Sequence, residues 1–187
     1  MGKLIWIWGS ERVRIPCCCD QNGHNMNKTW IRRFKSEDID AVADLNTLAF
    51  GGTEEAGIVR KLHANHESLL SLVAHRDDAL VAHIELFRIL INGKPSAVGL
   101  GPVSVRPDLQ RRGIGSSLIR MGLLVMAGRG ESLVFVLGHP DFYSSLGFSA
   151  DLAKPFRAPW SGPAFMAQAI NPGAPESGEL TYPAAFG

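Results

Sequence analysis

The sequence predicts a single domain of the α/β (α+β) class, in which a mixed central sheet of about six to seven strands is flanked by about four helices. Three observations predict this class. A chain of 187 residues can enclose one sizeable hydrophobic core. Short apolar runs typical of strands alternate with segments whose apolar residues recur at helical spacing. An uninterrupted apolar run at residues 133–137 is typical of a strand covered on both faces, as in the parallel part of a sheet.

The predicted elements follow one another in a simple order. A strand at residues 29–34 precedes two helices, at 36–49 and 54–64, and then a hairpin of strands at 69–75 and 79–91. Asn92-Gly93 indicates the turn into the next strand, at 98–106. A helix at 118–126, the apolar strand at 133–137, a short helix at 140–146 and a last strand at 165–170 complete the domain. The strand at 98–106, the helix and the apolar strand are expected to form a right-handed βαβ unit.

Three regions are predicted along the chain: a disordered leader at residues 1–27, the folded domain at 28–171, and an extended C-terminal tail at 172–187. Cys17, Cys18 and Cys19 are contiguous and odd in number, which favours neither a spaced zinc motif nor a disulfide framework. No metal site is therefore expected. Met26 is an alternative initiation point, and a reducing, cytoplasmic setting is predicted.

Composition argues against two classes of partner. The hydrophobic content of 45% and charged content of 20% are those of an ordinary globular protein. A formal net charge of +1 gives no reason to expect binding to nucleic acid or to an anionic membrane. No apolar run approaches the ~18 to 20 residues that span a bilayer. The oligomeric state is left open between a monomer and a homodimer.

Residues 98–127 form the stretch around which the chain is organised. A strand leads through a doubly basic, glycine-containing turn into an amphipathic helix. The start of such a helix presents unpaired N–H groups and the positive end of the helix dipole, which together favour phosphate binding. Gly113 and Gly115 lack a Cβ and let a diphosphate approach the backbone, and Arg111 and Arg112 add positive charge.

Pro102 lies inside the strand that precedes this turn. Because proline cannot donate a hydrogen bond to a neighbouring strand, it indicates a bulge or a splayed pairing. A splayed strand leaves backbone groups available to a ligand that itself carries amides.

Two well-known phosphate-binding motifs do not fit the turn. The dinucleotide motif G-x-G-x-x-G and the Walker A motif G-x-x-x-x-G-K-[ST] would both need a glycine at the position of Leu118. The turn resembles instead the [Q/R]-x-x-G-x-[G/A] pyrophosphate motif of the GNAT acetyltransferase superfamily, which residues 110–115 match in full. The strand end at 103–107 is also typical of that family, and residues 142–148 resemble its F-Y-x-x-x-G-F segment. The resemblance covers about residues 29–170. The closing stretch is similar to a bacterial subgroup of predicted acetyltransferases with unassigned substrates.

The resemblance implies the GNAT fold, acetyl-CoA as the acetyl donor and a primary amine as the acceptor. It implies that the backbone around Val103, Ser104 and Val105 pairs with the pantetheine arm and polarises the thioester carbonyl. The implied pyrophosphate site is the motif and the amides that follow it: Gln110, Arg111, Arg112, Gly113, Ile114, Gly115 and Ser116. Tyr143 matches the family tyrosine near the sulfur, where a phenol of pKa ~10 can protonate the leaving thiolate. A packing role beside Phe142 is its alternative.

The general base is the least determined part of the site. Glu85 is the main candidate, and it alternates with His83 onto one face of the third strand. His139, at the end of the apolar strand, is the second candidate, because ligand crevices of such sheets open at that edge. Each has the alternative of a surface or hydrogen-bonded structural residue. No motif surrounds His63, His66 or His75, and these are expected to be structural.

Two other classes of function stay open at this stage. One is a sensor or interaction module that binds acyl-CoA without catalysis, which would need neither Tyr143 nor a base at an open acceptor groove. The other is a domain that holds a different nucleotide phosphate, against which the missing third glycine and the absent Walker lysine argue. The acceptor has no signature in the sequence: a small metabolite, an antibiotic-like amine and a protein amino group all fit.

Overall fold

The computed structural model describes residues 13–14 and 29–187. The predicted leader lies outside the described residues apart from Val13–Arg14, and so do its cysteines and Met26. The strands are β1 Val13–Arg14, β2 Thr29–Arg33, β3 Ser68–Arg76, β4 Ala79–Ile91, β5 Lys94–Val105, β6 Leu133–Leu137, β7 Phe156–Arg157, β8 Phe165–Ala169 and β9 Gly178–Thr181. The α-helices are α1 Ile39–Phe50, α2 Glu54–Ala64, α3 Ile114–Gly128, α4 Pro140–Ser144 and α5 Ala150–Ala153, with short 3₁₀ helices at Ser36–Asp38, Pro107–Leu109 and Ala184–Phe186.

The strands form one mixed sheet in the order β1-β2-β3-β4-β5-β6-β8. The β5–β6 pair is parallel and the other neighbouring pairs along this path are antiparallel. The connection from β5 to β6 passes through α3, as expected for a crossover between parallel strands. The carboxyl ends of β5 and β6 therefore lie at the same edge of the sheet, where the turn before α3 and the start of α4 also lie.

Helix α3 packs closely against one face of the sheet. A Cβ added to Gly122 would lie 2.9 Å from side-chain atoms of both Ile84 and Leu86 on β4. This approach buries an apolar cluster that includes Leu118 and Ile119 of the helix. The even-numbered residues at this part of β4 therefore face α3. Their odd-numbered neighbours face the other side of the sheet, which α1 and α2 cover.

The predicted fold class is confirmed, including the mixed sheet and the helices that flank it. The structure also contains elements that the sequence pattern did not reveal. Strand β9 pairs with the end of β4, with Thr181 opposite Leu90 and Leu180 opposite Ile91, and in parallel with β7. The segment after residue 171 thus adds a strand to the sheet and buries Leu180 and Ala185.

Candidate active site at the splayed strands β5 and β6

The two parallel strands β5 and β6 pair over a short stretch and then separate. Val98, Gly99 and Leu100 lie opposite Val134, Phe135 and Val136, and the pairing ends there within the described part of the chain. Strand β5 nevertheless continues to Val105 on its other side, where it stays paired with β4. The backbone of β5 beyond Leu100 is therefore unpaired with β6 in the described part of the chain, as Pro102 predicts. We call the space between the two separated strand ends the cleft.

A bulge in β5 marks the point of separation. Ile84 lies opposite Val103 and Leu86 opposite Leu100, so Gly101 and Pro102 together face the single residue Glu85 across the β4–β5 pair. The Gly101–Pro102 peptide bond is cis. A bulge re-aims the strand and bends it away from its neighbour. It also places Glu85 beside the start of the cleft.

The side chains that follow the bulge alternate between the two faces of the sheet. Val105 faces α3, since a Cβ on Gly115 would lie 3.3 Å from its Cγ2 atom. Ser104 therefore faces α1 and α2 and is fully buried there. Its register partner is His83 on β4, which is also fully buried.

The turn between β5 and α3 has the geometry of an anion site. Gly113 is the N-cap of α3 and has a φ of +79°, a left-handed conformation that suits glycine. The N–H groups of Ile114, Gly115 and Ser116 begin the helix, where they lack intrahelical acceptors. Gln110 donates a hydrogen bond of 3.2 Å from Nε2 to the carbonyl of Val105, which fixes the turn against the strand end.

The two arginines of the turn are exposed, and Arg111 has a positive φ of 60°. Exposed guanidinium groups beside open amides favour an oxyanion ligand, because they supply charge and donors at the same place. The structure thus brings together the strand end at 103–105 and the turn at 110–116, the two parts of the predicted binding segment.

Tyr143 lies at the end of β6 that borders the cleft. Its ring packs against Gly138, the residue directly after β6, where a Cβ would overlap the ring. Phe142 and Phe148 contact the same ring edge to face. Burial raises the pKa of the Tyr143 hydroxyl to about 12. The phenol is consequently protonated at neutral pH, as an acid near a leaving group requires.

Glu85 is fully buried and lies in a polar network on the face covered by α2. Its Oε2 atom is 3.0 Å from His63 Nε2 and 3.4 Å from His83 Nε2, and its Oε1 atom accepts a hydrogen bond from Ser68 Oγ. Burial opposes ionisation, but the hydrogen bonds and charges of the two histidines outweigh it and hold the pKa of the Glu85 carboxyl below its ordinary value. The buried group is therefore a carboxylate at neutral pH.

His83 contacts the Glu85 carboxylate and lies opposite Ser104 of β5. Its Nε2 atom also lies 2.9 Å from Ser71 Oγ, whereas its buried Nδ1 atom has no hydrogen-bond partner in the described part of the chain. The Oγ atom of Ser104 and the Oδ1 atom of Asn46 are also buried without a hydrogen-bond partner among the described residues. Buried polar atoms are almost always paired, and the exceptions concentrate at functional sites or beside water.

Two further histidines, His139 and His63, differ in their relation to this network. His139 is exposed between β6 and α4 and lies apart from the buried network. His63, which carries no motif and was expected to be structural, is part of the network through Glu85. One signal in the sequence marks its orientation: His63 follows the buried Val59 by four residues, so both lie on the inner side of α2.

Two searches of the described residues complete the site. No grouping of three or more His, Cys, Asp or Glu side chains suited to a metal ion occurs in residues 29–187. None of the helices in that range has the length and apolarity needed to cross a membrane.

Comparisons with known proteins agree with this geometry. A family model described as an acetyltransferase (GNAT) domain matches residues 30–150. The uncharacterized N-acetyltransferase YjhQ of Escherichia coli (strain K12) is 34% identical in an alignment of 116 residues that covers 59% of this chain. The match spans 64% of that relative, which is less than two thirds of its length.

Two solved structures are similar over most of the chain. A GNAT family acetyltransferase from Brucella melitensis in complex with acetyl-CoA is 33% identical, with a TM-score of 0.73 and coverage of 85% of this chain and 98% of that one. The GNAT family N-acetyltransferase YhbS of Escherichia coli in complex with CoA is 24% identical, with a TM-score of 0.80 and coverage of 87% and 93%, and supports the fold. The resemblance seen in the sequence is confirmed, and the chain belongs to the GNAT acetyltransferase family.

Proposed function

We propose that this protein is an N-acetyltransferase that moves an acetyl group from acetyl-CoA to a primary amine by direct attack on the thioester. The observation that carries the proposal is the separation of β5 from β6 beyond Leu100 and Val136, directly before a phosphate turn. A pantetheine arm carries amides that can pair with the open edge of β5 while its diphosphate lies on the first turn of α3.

The donor follows from the chemistry of the turn and from the relatives. The amides of Ile114, Gly115 and Ser116 would hold the diphosphate, with the guanidinium groups of Arg111 and Arg112 beside it. The Brucella melitensis structure contains acetyl-CoA, and its 33% identity over 85% of this chain supports the same donor here. The backbone of residues 103–105 would pair with the pantetheine arm and polarise the thioester carbonyl.

We assign Glu85 an indirect part in removing the proton of the amine. The sequence makes Glu85 the main candidate for the general base, but both of its oxygens already accept hydrogen bonds and its pKa is lowered, which makes it a poor direct acceptor of protons. A carboxylate can only accept hydrogen bonds. Glu85 therefore favours the tautomers of His63 and His83 that carry the proton on Nε2. The Nδ1 atom of His83 has no hydrogen-bond partner in the described part of the chain, and we assign the proton acceptor to that atom.

The proposed reaction balances with these groups. The ammonium form of the acceptor loses a proton toward His83, and the amine nitrogen then forms a bond to the thioester carbon. The C–S bond breaks, the amine nitrogen loses its second proton to water, and the thiolate takes a proton from Tyr143. The phenolate of Tyr143 then regains a proton from water and His83 returns its proton to solvent, so that the full cycle releases one proton. The raised pKa of Tyr143 keeps the phenol protonated until that step, because burial disfavours the phenolate.

The first experiment is a calorimetric titration of the purified protein with acetyl-CoA. It is followed by incubation with a panel of primary amines that includes small metabolites, aminoglycoside-like compounds and peptides. Release of CoA thiol and a mass increase of one acetyl group on the amine would support the proposal. Ring ¹⁵N shifts of His83 give a separate test, since a proton on Nδ1 instead of Nε2 would overturn its assignment as proton acceptor.

Saturable binding of acetyl-CoA with no transfer to any amine class would favour the alternative of an acyl-CoA-binding sensor or interaction module. Failure of well-folded protein to bind acetyl-CoA would overturn the proposal itself. The acceptor, a cytoplasmic location and the choice between a monomer and a homodimer stay predictions, of which the amine panel tests the first.

A further inference from the structure

The hydrogen bond between Ser71 and His83 joins two buried residues of neighbouring strands. Ser71 lies on β3 directly opposite Glu85, and His83 lies two residues before Glu85, on the same face of β4. Ser71 is 6% exposed and His83 is fully buried. Because buried polar atoms are almost always paired, a hydrogen bond in this position restricts the orientation of the imidazole ring.

Two oxygen atoms lie near the Nε2 atom of His83. Ser71 Oγ is 2.9 Å from Nε2, which is the usual length of an N–H···O hydrogen bond. Glu85 Oε2 is 3.4 Å from Nε2 and only 3.0 Å from the Nε2 atom of His63. The distances therefore assign the direct hydrogen bond of His83 to Ser71, while the carboxylate of Glu85 supplies negative charge from further away.

Ser71 also lines an open cavity of about 410 Å³ at the start of β3, which we call the edge pocket. The pocket is open to solvent, since the lining residues Ser36 and His66 are exposed. A serine hydroxyl can accept one hydrogen bond and donate another. Water that enters the edge pocket can accept the hydroxyl proton of Ser71, so that the oxygen of Ser71 is available to the N–H group at Nε2 of His83.

We propose that Ser71 is a positioning residue for the acetyl transfer, which holds the His83 ring by Nε2 and so keeps Nδ1 available as the proton acceptor. This inference rests on the proposed function, in which Nδ1 of His83 takes a proton from the ammonium group of the acceptor. Once His83 is protonated, its hydrogen bond to Ser71 becomes charge-assisted and therefore stronger. Ser71 thus stabilises the charged ring without gaining or losing a proton itself.

The test compares Ser71→Val with Ser71→Thr in the full chain. The two side chains have nearly the same shape and both suit a strand, but only threonine carries a hydroxyl. The second methyl group of valine also prevents water from taking the place of the lost oxygen. Ser71→Ala is a smaller second variant for the case that a branched side chain prevents folding. Ser36→Ala, which removes an exposed hydroxyl at the same pocket, is the control.

Acetyl transfer is measured with the amine that the panel identifies, and acetyl-CoA binding is measured by calorimetry. We expect the kcat of Ser71→Val to lie about tenfold or more below that of Ser71→Thr, the usual effect of losing a hydrogen bond to a charged group. The affinity for acetyl-CoA should be the same in all variants, and Ser36→Ala should keep the kcat of the wild type. Equal kcat values of folded Ser71→Val and Ser71→Thr would refute the proposal.

Crystal structures of the variants with bound CoA give a second test that needs no acceptor. The His83 ring should keep its hydrogen bond to residue 71 in Ser71→Thr. In Ser71→Val it should turn toward Glu85 and shorten the distance of 3.4 Å between Nε2 and Oε2. An unchanged ring position in Ser71→Val would refute the positioning role. Absence of acetyl transfer by the wild type is a different result, which would overturn the proposed function itself.

Discussion

The carboxylate of Glu85, fully buried on β4, accepts a hydrogen bond of 3.0 Å from His63 of α2. The side chain of His63 is 23% exposed, whereas that of Glu85 is 0% exposed. The pair therefore links the interior of the sheet to solvent at the C-terminal end of α2. An ionised group in this position is stable only while its hydrogen bonds compensate for lost hydration.

Glu85→Gln is predicted to lower the free energy of unfolding at pH 7 by about 2–3 kcal/mol, as for loss of hydrogen bonds to a charged group. Because folding lowers the pKa of Glu85, its contribution is complete above the pKa of an unfolded glutamate, ~4.3, and is lost as the pH falls through the lower folded pKa. Denaturant unfolding between pH 7 and pH 3 measures both effects.

The variant and the wild type should therefore converge in stability as the pH falls. Glu37→Gln is the matched control, because Glu37 is exposed and pairs with Lys35 at 3.4 Å. That change should shift stability by less than about 0.5 kcal/mol at any pH. A constant difference between wild type and Glu85→Gln from pH 7 to pH 3 would contradict the ionised state of Glu85.

Gly115→Glu is predicted to weaken acetyl-CoA binding by at least about a hundredfold, or ~2.7 kcal/mol. The added side chain meets Val105 at 3.3 Å from its Cβ and brings a negative charge to the proposed diphosphate site. Gly57→Glu adds the same side chain on α2, where no atom lies within 4 Å of the new Cβ, and should bind acetyl-CoA as the wild type does. Calorimetry measures the acetyl-CoA affinity of both variants. Equal affinities of Gly115→Glu and Gly57→Glu would argue against diphosphate binding at the turn before α3.

Tyr143→Phe is predicted to lower kcat by about 10²–10⁴-fold, the usual contribution of a positioned general acid. Affinity for acetyl-CoA should change little, because the ring that packs on Gly138 is retained. The measurement is CoA thiol release with whichever primary amine the screen identifies. Phe142→Leu, at a neighbouring ring that is 38% exposed, serves as the packing control. An unchanged kcat in Tyr143→Phe would leave the residue a packing role only.

Gly99→Ala is predicted to destabilise the protein by about 1–3 kcal/mol, the usual effect of overpacking. Gly99 lies in the stretch where β5 still pairs with β6, and a Cβ there would overlap the ring of Phe87. Phe87→Leu in the same chain should recover part of the loss, which thermal unfolding of the four proteins of the cycle measures. Gly57→Ala, in open space on α2, should instead stabilise by roughly 0.5–1 kcal/mol.

Local patterns in the sequence predicted much of the backbone. Helix α2 begins and ends at Glu54 and Ala64 as its apolar spacing predicts, and Pro102 lies in the bulge that it indicates. These signals depend only on residues close together in the chain. Proline restricts the backbone conformation at its own position, and glycine widens the range of conformations at its own position. Strand β9 had no such signal, because its four residues gain strand structure from pairing with β4 and β7.

The sequence by itself determined the strand, turn and helix of the phosphate site, because the left-handed conformation at Gly113 and the open amides of α3 are local properties. Only the tertiary structure decided the state of Glu85. Its partners His63 and Ser68 lie 22 and 17 residues away, on α2 and β3. Whether a carboxylate is buried and ionised depends on which donors the fold brings to it, and that is set by the packing of α2 on the sheet.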